Sequence, residues 1–147
     1  MLINTGKFVK VSENKYTGYI TIGSGNHVFR ISDIEKTLVD CFDLVQYSGG
    51  YAELIRAFSR HPSASQKLIE YTQAVNNISA LKRMGFLAEM FPERKLDEFI
   101  AYARSKVNPR YNLFDPYGPD KGEFVIEWKL RLNINREVIK DICQRTS

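Results

Sequence analysis

The sequence predicts an α+β fold, because strand-like and helix-like segments are segregated along the chain rather than alternating. The first thirty residues are rich in β-formers, the middle carries helical periodicity in several blocks, and the end has the pattern of one strand followed by one helix. With 147 residues, 44% of them hydrophobic, the chain is long enough for one domain with a real core. We therefore expect residues 1–147 to form a single domain, with a small antiparallel sheet, a bundle of about five short helices, and a final strand and helix.

Two strands joined by a tight turn are expected near the amino end. Residues 16–22 and 27–31 consist largely of β-branched and aromatic side chains, which favour extended backbone. Between them lies Gly23-Ser24-Gly25-Asn26, and Gly and Asn tolerate the positive φ angles of hairpin turns. Weaker alternation at residues 8–11 predicts a further strand of the same small sheet.

The first helix has the clearest start signal in the chain. Ser32 and Glu35 have the spacing of a capping box, in which each side chain accepts a hydrogen bond from the backbone of the other residue. An apolar stripe from Ile34 to Val45 follows, and Ser48-Gly49-Gly50 ends it. Apolar periodicity, interrupted at Pro62, Asn76 and Pro92, predicts four further helices, at 51–60, 63–75, 78–91 and 94–106.

The remainder of the chain is predicted as an ordered loop, one strand and one helix. Residues 108–122 are rich in Pro and Gly, which excludes a long helix, and their aromatic residues favour a loop pinned by its rings. Residues 124–132 have the pattern of one strand, with an inward face of Ile126, Trp128, Leu130 and Leu132. Asn135 is expected to cap the last helix.

The composition limits the cellular setting and the chemistry. The net charge of +4 permits weak attraction to nucleic acid or to acidic partners, but the basic residues are mixed with 17 acidic ones. Neither a signal peptide nor an apolar run of the roughly 20 residues that a membrane helix needs is visible in the sequence, so we expect a cytoplasmic protein. Cys41 and Cys143 are interpreted as reduced core thiols; a disulfide or a catalytic thiol is the alternative.

The sequence predicts a non-enzymatic protein without cofactor or metal. It contains no phosphate-binding Gly-rich loop, zinc-protease motif or nucleophile elbow, and its two histidines, His27 and His61, fall beside turns. One enzymatic alternative stays open, in which Asp33 and Asp40, on one helical face with Lys36, bind magnesium or act as acid and base. We prefer the interpretation of a helix cap beside a solvated Lys–Asp pair.

Basic residues in three places are predicted to form a contact surface for nucleic acid or a partner protein. Arg56 and Arg60 lie on the second helix, Lys82 and Arg83 on the fourth, and Arg110 in the long loop. Contacts from these residues to phosphates would make binding sensitive to salt. The competing interpretation is ordinary solvated side chains whose apolar stems pack against the surface.

Three features are interpreted as architecture. Gly85 lies inside a helix, where Gly costs about 1 kcal/mol relative to Ala, so we expect a close approach of another backbone or a kink. Asp115-Pro116 followed by Gly118-Pro119 predicts a fixed turn. Trp128 is expected to anchor that loop to the sheet, with its indole N–H bound to an acceptor.

Taken in order, several short segments resemble the carboxy-terminal portion of the AbiEi antitoxin family. They are Phe8–Val11 with Tyr16 and Tyr19, Ile31–Asp40, Gly49-Gly50 with Glu53–Phe58, Lys82–Glu89, Asp115–Gly122 and Trp128–Asn133. Met84 stands where the family usually has Leu, a swap that conserves volume. Most of the matching residues are expected to define the fold: Glu35, Lys36, Asp40, Gly49, Gly50, Gly85, Asp115, Pro116, Trp128 and Asn133.

The resemblance implies a role in an abortive-infection system. Members of the family are type IV toxin–antitoxin antitoxins and transcriptional regulators, usually paired with a nucleotidyltransferase-like toxin, and they carry a winged-helix DNA-binding domain before the effector domain. This chain is therefore expected to be the effector domain, which neutralises such a toxin and supports operon repression with a winged helix supplied in cis or in trans. No winged-helix pattern precedes residue 32, so we expect a fragment, a split gene or a stand-alone effector domain. The alternative is a stand-alone module that binds DNA or RNA; no membrane partner is expected.

Overall fold

The computed structural model describes residues 19–24 and 27–145, and the side chains of residues 33–46 and 48–145. The elements confirm the predicted α+β class. The helices are α1 (Ile34–Asp43), α2 (Tyr51–Arg60), α3 (Ser65–Val75), α4 (Ile78–Met90), α5 (Asp97–Ser105) and α6 (Arg136–Gln144), with single 3-10 turns at Val45–Tyr47 and Pro92–Arg94. The strands are β1 (Tyr19–Ser24), β2 (His27–Ser32), β3 (Asn112–Leu113), β4 (Glu123–Val125) and β5 (Leu130–Leu132).

The predicted amino-terminal hairpin is confirmed. Strands β1 and β2 are antiparallel, with Tyr19 opposite Ser32 and Ser24 opposite His27. Gly23 and Ser24, which were expected in the turn, belong to β1 and pair with Val28 and His27. Residues 25 and 26 lie outside the described residues. The further strand predicted at residues 8–11 lies outside the described residues.

The start of α1 differs from the predicted capping box. Asp33, rather than Ser32, is the N-cap, because its Oδ1 atom accepts a hydrogen bond from the Lys36 backbone N–H at 2.8 Å. Ser32 is instead the last residue of β2, paired with Tyr19. Glu35 takes no part in the cap of α1: its Oε2 atom accepts from the backbone N–H of Ala64, the residue directly before α3, at 3.0 Å. The carboxylate of Glu35 therefore joins α1 to the start of α3.

Helix α4 is the centre of the helical bundle. Every residue from Ala80 to Ala88 is buried, and α1, α2 and α5 pack around it. The sequence had predicted one apolar face, whereas a helix enclosed on all sides also buries the residues between the apolar ones. Even α4, the longest helix in the described part of the chain, lacks the length and apolarity needed to cross a bilayer.

The carboxy-terminal strands form a mixed sheet in the order β3-β5-β4. Strand β5 is central, parallel to β3 and antiparallel to β4. The prediction of one continuous strand over residues 124–132 is wrong, because a turn at residues 126–129 folds this segment into the β4–β5 hairpin. The turn is closed by Lys129, whose N–H donates to the Ile126 carbonyl at 3.3 Å and whose φ of 53° is left-handed. The apolar alternation continues through the turn because Trp128, which is one of the turn residues, is itself buried.

Trp128 anchors the β4–β5 hairpin to α4. A Cβ atom built at Gly85 would lie 2.5 Å from Cη2 of Trp128, so the glycine makes room for an indole ring and not for the backbone that we expected. The Trp128 indole N–H donates to Glu89 Oε1 at 3.2 Å, which confirms that it has an acceptor. Its partner is nevertheless α4 and not the long loop.

The long loop is pinned by a different ring. Phe114 is fully buried and meets the rings of Tyr51 and Phe86 edge to face, at centroid distances of 5.3 and 5.4 Å. The predicted turn at Asp115 is confirmed by the Gly118 N–H, which donates to the Asp115 carbonyl at 3.1 Å. Asn133 fixes the turn to the end of β5, because its Oδ1 accepts from the Asp115 N–H at 2.8 Å and its Nδ2 donates to the Asp115 carbonyl at 2.8 Å.

Candidate functional site

Two members of the predicted basic surface lie in the interior. Lys82 is 1% exposed, and its Nζ atom donates to the Arg110 carbonyl at 2.5 Å and to Asn112 Oδ1 at 2.8 Å. Arg83 is also buried, and its Nε–H donates to the Leu113 carbonyl at 3.0 Å. The prediction that these residues form a surface with the other basic residues is therefore wrong. Both cations instead join strand β3 to helix α4.

Two other predicted contact residues clamp the last helix. The Arg56 Nε–H donates to the Ile142 carbonyl at 3.2 Å, and Arg60 Nη2 donates to the Cys143 carbonyl at 3.3 Å. The final carbonyls of a helix carry partial negative charge and lack partners within the helix, so cations stabilise them. Arg56 also forms an ion pair with Glu53 on its own helix. These arginines dock α6 on α2, and only Arg110 of the five predicted residues remains outside such shape-holding contacts.

The carboxylates of the enzymatic alternative have structural partners. Asp33 caps α1, and its Oδ2 atom accepts from the Tyr71 hydroxyl at 2.5 Å, while Asp40 pairs with the buried Lys36 ammonium at 2.7 Å. Burial, and then the bonded Asp33 carboxylate, raise the pKa of Tyr71. Among the described residues, no three His, Cys, Asp or Glu side chains form a group that could hold a metal ion. His61 is exposed at the end of α2, and the His27 side chain lies outside the described ones.

Both cysteines are free thiols, as predicted. Burial, and then the neighbouring Asp40 carboxylate, raise the pKa of Cys41 to about 12. Burial also raises the pKa of Cys143, although Ser59 and the nearby arginines act in the opposite direction. Because the thiolate is the nucleophilic form, these environments disfavour thiol chemistry at neutral pH.

The glycines matched to the family pattern lie at a backbone junction. Gly49 and Gly50 have φ angles of 84° and 120°, both in the left-handed region, and Gly50 immediately precedes α2. Residues with a Cβ atom rarely adopt such angles. Their position supports the interpretation of these residues as fold-defining.

The solvent-exposed side of the carboxy-terminal sheet gathers aromatic rings and cations. Tyr111 and Phe124 meet edge to face at 5.1 Å, and they lie on opposite sides of the central strand β5. The Lys129 ammonium lies 5.3 Å from the Tyr111 ring, and the Arg131 guanidinium lies 4.8 Å from the Phe124 ring. Phe124 and Arg131 are also directly opposite in the β4–β5 register. We call Tyr111, Phe124, Lys129 and Arg131 the sheet face.

The sheet face is accessible and lies in a positively charged region. Tyr111 is 39% exposed and Phe124 is 56% exposed, although Phe is among the residue types that are most often buried. Burial lowers the pKa of Lys82 beneath this sheet, and the positive charges of Arg83, Arg110 and Lys129 lower it further. Asp120 is the acidic neighbour of Arg131, at 2.8 Å. Arg110 is exposed and directly precedes Tyr111 in the chain.

Our sequence reasoning missed the sheet face, although a signal was present. The prediction of one strand over residues 124–132 gives an inward face that begins at Ile126, and it leaves Lys129 and Arg131 on the other side without placing Phe124 beside them. A turn at residues 126–129 reverses the chain and brings Phe124 opposite Arg131. Tyr111 and Phe124 each lie beside cations in the folded chain, a combination typical of surfaces that contact phosphates and bases.

Comparisons of the chain with protein-family models, with curated proteins and with solved structures gave no match. The resemblance to the AbiEi family therefore stays a prediction from the short segments that carry it.

Proposed function

We propose that this chain is a non-enzymatic effector domain of the antitoxin and transcriptional-regulator type, which acts by contacting another macromolecule. The sheet face carries the proposal. Exposed aromatic rings and arginines are enriched at recognition surfaces, and a few such residues supply most of the free energy of binding. Here two rings and two cations are grouped on one exposed side of a sheet whose other side is anchored in the core.

The contacts of the remaining cations support this assignment. Lys82 donates to the carbonyl of Arg110, two residues before β3, and Arg83 donates to the carbonyl of Leu113 in β3. Arg56 and Arg60 are bonded to the last carbonyls of α6. Since these four side chains hold elements together, recognition is assigned to the sheet face and to Arg110 beside it.

The resemblance supplies the biological setting of the proposal. The proposed partner is a nucleotidyltransferase-like toxin that the chain neutralises in the cytoplasm. Support of operon repression belongs to the same proposal and needs a winged-helix DNA-binding domain in cis or in trans. The recognised surface on either partner is expected to accept aromatic rings and to carry negative charge.

The gene neighbourhood and a growth assay test this proposal. We expect a nucleotidyltransferase-like gene beside the gene for this chain, whose expression arrests growth unless the full chain is co-expressed. The double variant Tyr111→Ala/Phe124→Ala should lower the number of rescued colonies about tenfold or more, because truncation of a hot-spot residue costs about 2 kcal/mol or more. Tyr117→Ala is the matched control, since this tyrosine is 70% exposed and lies outside the sheet face.

Three results would contradict the proposal. The first is failure of the unaltered chain to restore growth. The second is full rescue by the double variant when immunoblots show the same amount of soluble protein as for the unaltered chain. The third is equal loss of rescue in Tyr117→Ala, because the effect would then not belong to the sheet face.

A further inference from the structure

We infer that the sheet face binds single-stranded nucleic acid, with bases stacked on Tyr111 and Phe124 and phosphates paired with Lys129, Arg131 and Arg110. This inference rests on the proposed function in that the domain acts through the sheet face, and it takes single-stranded nucleic acid, and not the surface of the toxin protein, as the direct occupant of that face.

The two rings are accessible, and what lies over each of them is a long cationic side chain. Tyr111 and Phe124 are 39% and 56% exposed and meet edge to face, with Lys129 over the first ring and Arg131 over the second. A base that stacks here takes the place of these side chains, which then pair with its phosphate. Stacking of an unpaired base on such a ring contributes about 1–3 kcal/mol, and it tolerates any base because every base has a π face. The core rings, by contrast, are enclosed, as Phe114 is between Tyr51 and Phe86.

The charges beside the rings are complementary to a phosphate chain. Lys129 and Arg131 lie within about 5 Å of the two ring centres, at 5.3 and 4.8 Å, so one nucleotide can contact a ring with its base and a cation with its phosphate. Burial lowers the pKa of Lys82, and the positive charges of Arg83, Arg110 and Lys129 lower it further, so the cations lie close enough to repel one another. A bound anion relieves this repulsion.

The acidic groups near the sheet face do not block an anion. Asp120 pairs with Arg131 at 2.8 Å, but its side chain is largely exposed. Glu123 pairs with Arg136 at 3.3 Å, also at the surface. Exposed ion pairs contribute about 0–1 kcal/mol, so a phosphate can replace the Asp120 carboxylate at small cost.

The geometry favours a single strand over a duplex. The rings stand on a short sheet in which β3 has two residues and β4 and β5 have three each. Bases within a duplex are already stacked on each other and present only their edges and the backbone, so the rings could not stack on them. A single strand offers bases that are free to stack, and known sheet surfaces for single strands combine aromatic rings with cations.

Fluorescence anisotropy with dye-labelled oligonucleotides tests the inference on the full chain. We use oligothymidine and oligouridine of about 12 nucleotides, within the range of site sizes known for such surfaces, and a duplex of equal length. Both single strands should bind, and the duplex should bind at least about tenfold more weakly. The magnitude of the slope of log K against log salt should fall by about 0.7 in Lys129→Gln and again in Arg131→Gln, since each removes one phosphate contact.

Ring variants distinguish stacking from simple attraction of charge. Tyr111→Ala and Phe124→Ala should each weaken single-strand binding by about 5-fold to 100-fold, while Tyr117→Ala should leave it unchanged. Tyr111→Leu/Phe124→Leu keeps apolar bulk but removes both π faces, so it should also lose binding while it retains the circular dichroism spectrum of the unaltered chain. If an alanine variant fails to fold, this leucine variant carries the test.

Several outcomes would overturn the inference: no saturable binding at low salt, equal affinity for the duplex, or full binding by the folded leucine variant. Loss of toxin rescue in the sheet-face variants without any oligonucleotide binding would indicate a protein partner. That result overturns the present inference and leaves the proposed function standing. Oligonucleotide binding by a chain that does not rescue growth supports the present inference and contradicts the proposed function.

Discussion

At the scale of single residues, Lys82 is notable because its ammonium group lies in the interior of the protein. It is buried beneath the sheet, and it bonds to the Arg110 carbonyl and to Asn112 Oδ1. A buried charge is tolerated only when it has such partners, because loss of water otherwise costs several kcal/mol. The residue therefore stabilises the connection of β3 to α4 and does not face a ligand.

Replacement of Lys82 should destabilise the fold. Lys82→Met keeps the apolar stem but leaves two acceptors without their donor, which costs about 1–3 kcal/mol. We expect the free energy of unfolding in urea to fall by about that amount. The control Lys140→Met, on the exposed side of α6, should change it by less than about 0.5 kcal/mol. A change at Lys82 as small as that of the control would contradict the structural role.

The difference in stability between the unaltered chain and Lys82→Met should also depend on pH, and the lowered pKa of Lys82 fixes the direction of that dependence. The pKa of Lys82 is lowered from 10.5, so the unfolded chain binds more protons than the folded chain between the lowered value and 10.5. The free energy of unfolding of the unaltered chain therefore rises with pH across this window, in addition to the stabilisation that the Lys82 hydrogen bonds give at lower pH. The stability advantage of the unaltered chain over Lys82→Met should grow with pH across this window, and a shrinking advantage would show the assignment to be wrong.

At the scale of elements, the position of the β4–β5 hairpin depends on its contact with α4. It depends on the missing side chain at Gly85, which leaves space for the indole ring of Trp128, and on the bond from that ring to Glu89. Arg104 reaches from α5 to the same ring, 5.4 Å from its centre, and pairs with Glu89. One side chain thus joins the hairpin to two helices.

Gly85→Ala should destabilise the protein although alanine favours helix. Overpacking in a tight core costs about 1–3 kcal/mol, and the gain in helix propensity returns about 1 kcal/mol, so we expect a net loss of up to about 2 kcal/mol. In the Trp128→Phe background the shorter ring leaves room for the new methyl group, and the same substitution should be neutral or stabilising. Equal effects of Gly85→Ala in both backgrounds in urea unfolding would contradict the contact.

The helices were predictable, and the carboxy-terminal sheet was not. Helix α2 has the predicted bounds, because Gly50 and Pro62 delimit its apolar periodicity. The residues of its apolar face are also the ones that are buried. The β4–β5 hairpin was missed because Lys129 adopts a left-handed φ without being Gly or Asn, and because Trp128 continues the apolar pattern through the turn. The burial of Lys82 was hidden as well, since periodicity alone does not show that α4 is covered on every side.

At the scale of the whole molecule, the cations divide into two groups with different tasks. Lys82, Arg83, Arg56 and Arg60 hold strands and helices to one another through backbone carbonyls. Lys129 and Arg131 lie beside exposed rings on one side of the sheet, although the Arg131 Nε–H also donates to the Gly122 carbonyl at 3.1 Å. Residue counts and charge could not separate these groups, because the difference depends on where the fold places each side chain. Only Arg110 of the predicted contact residues lies next to the sheet face.

The central claim is that recognition takes place on the sheet face and not on the cations of the helical bundle. The most direct measurement is a map of backbone amide shifts in the ¹⁵N-labelled chain during titration with oligothymidine. We predict saturable changes confined to residues 110–113, 123–125 and 129–131. Changes centred on α2 and α6, around Arg56 and Arg60, or no saturable change anywhere, would contradict the account.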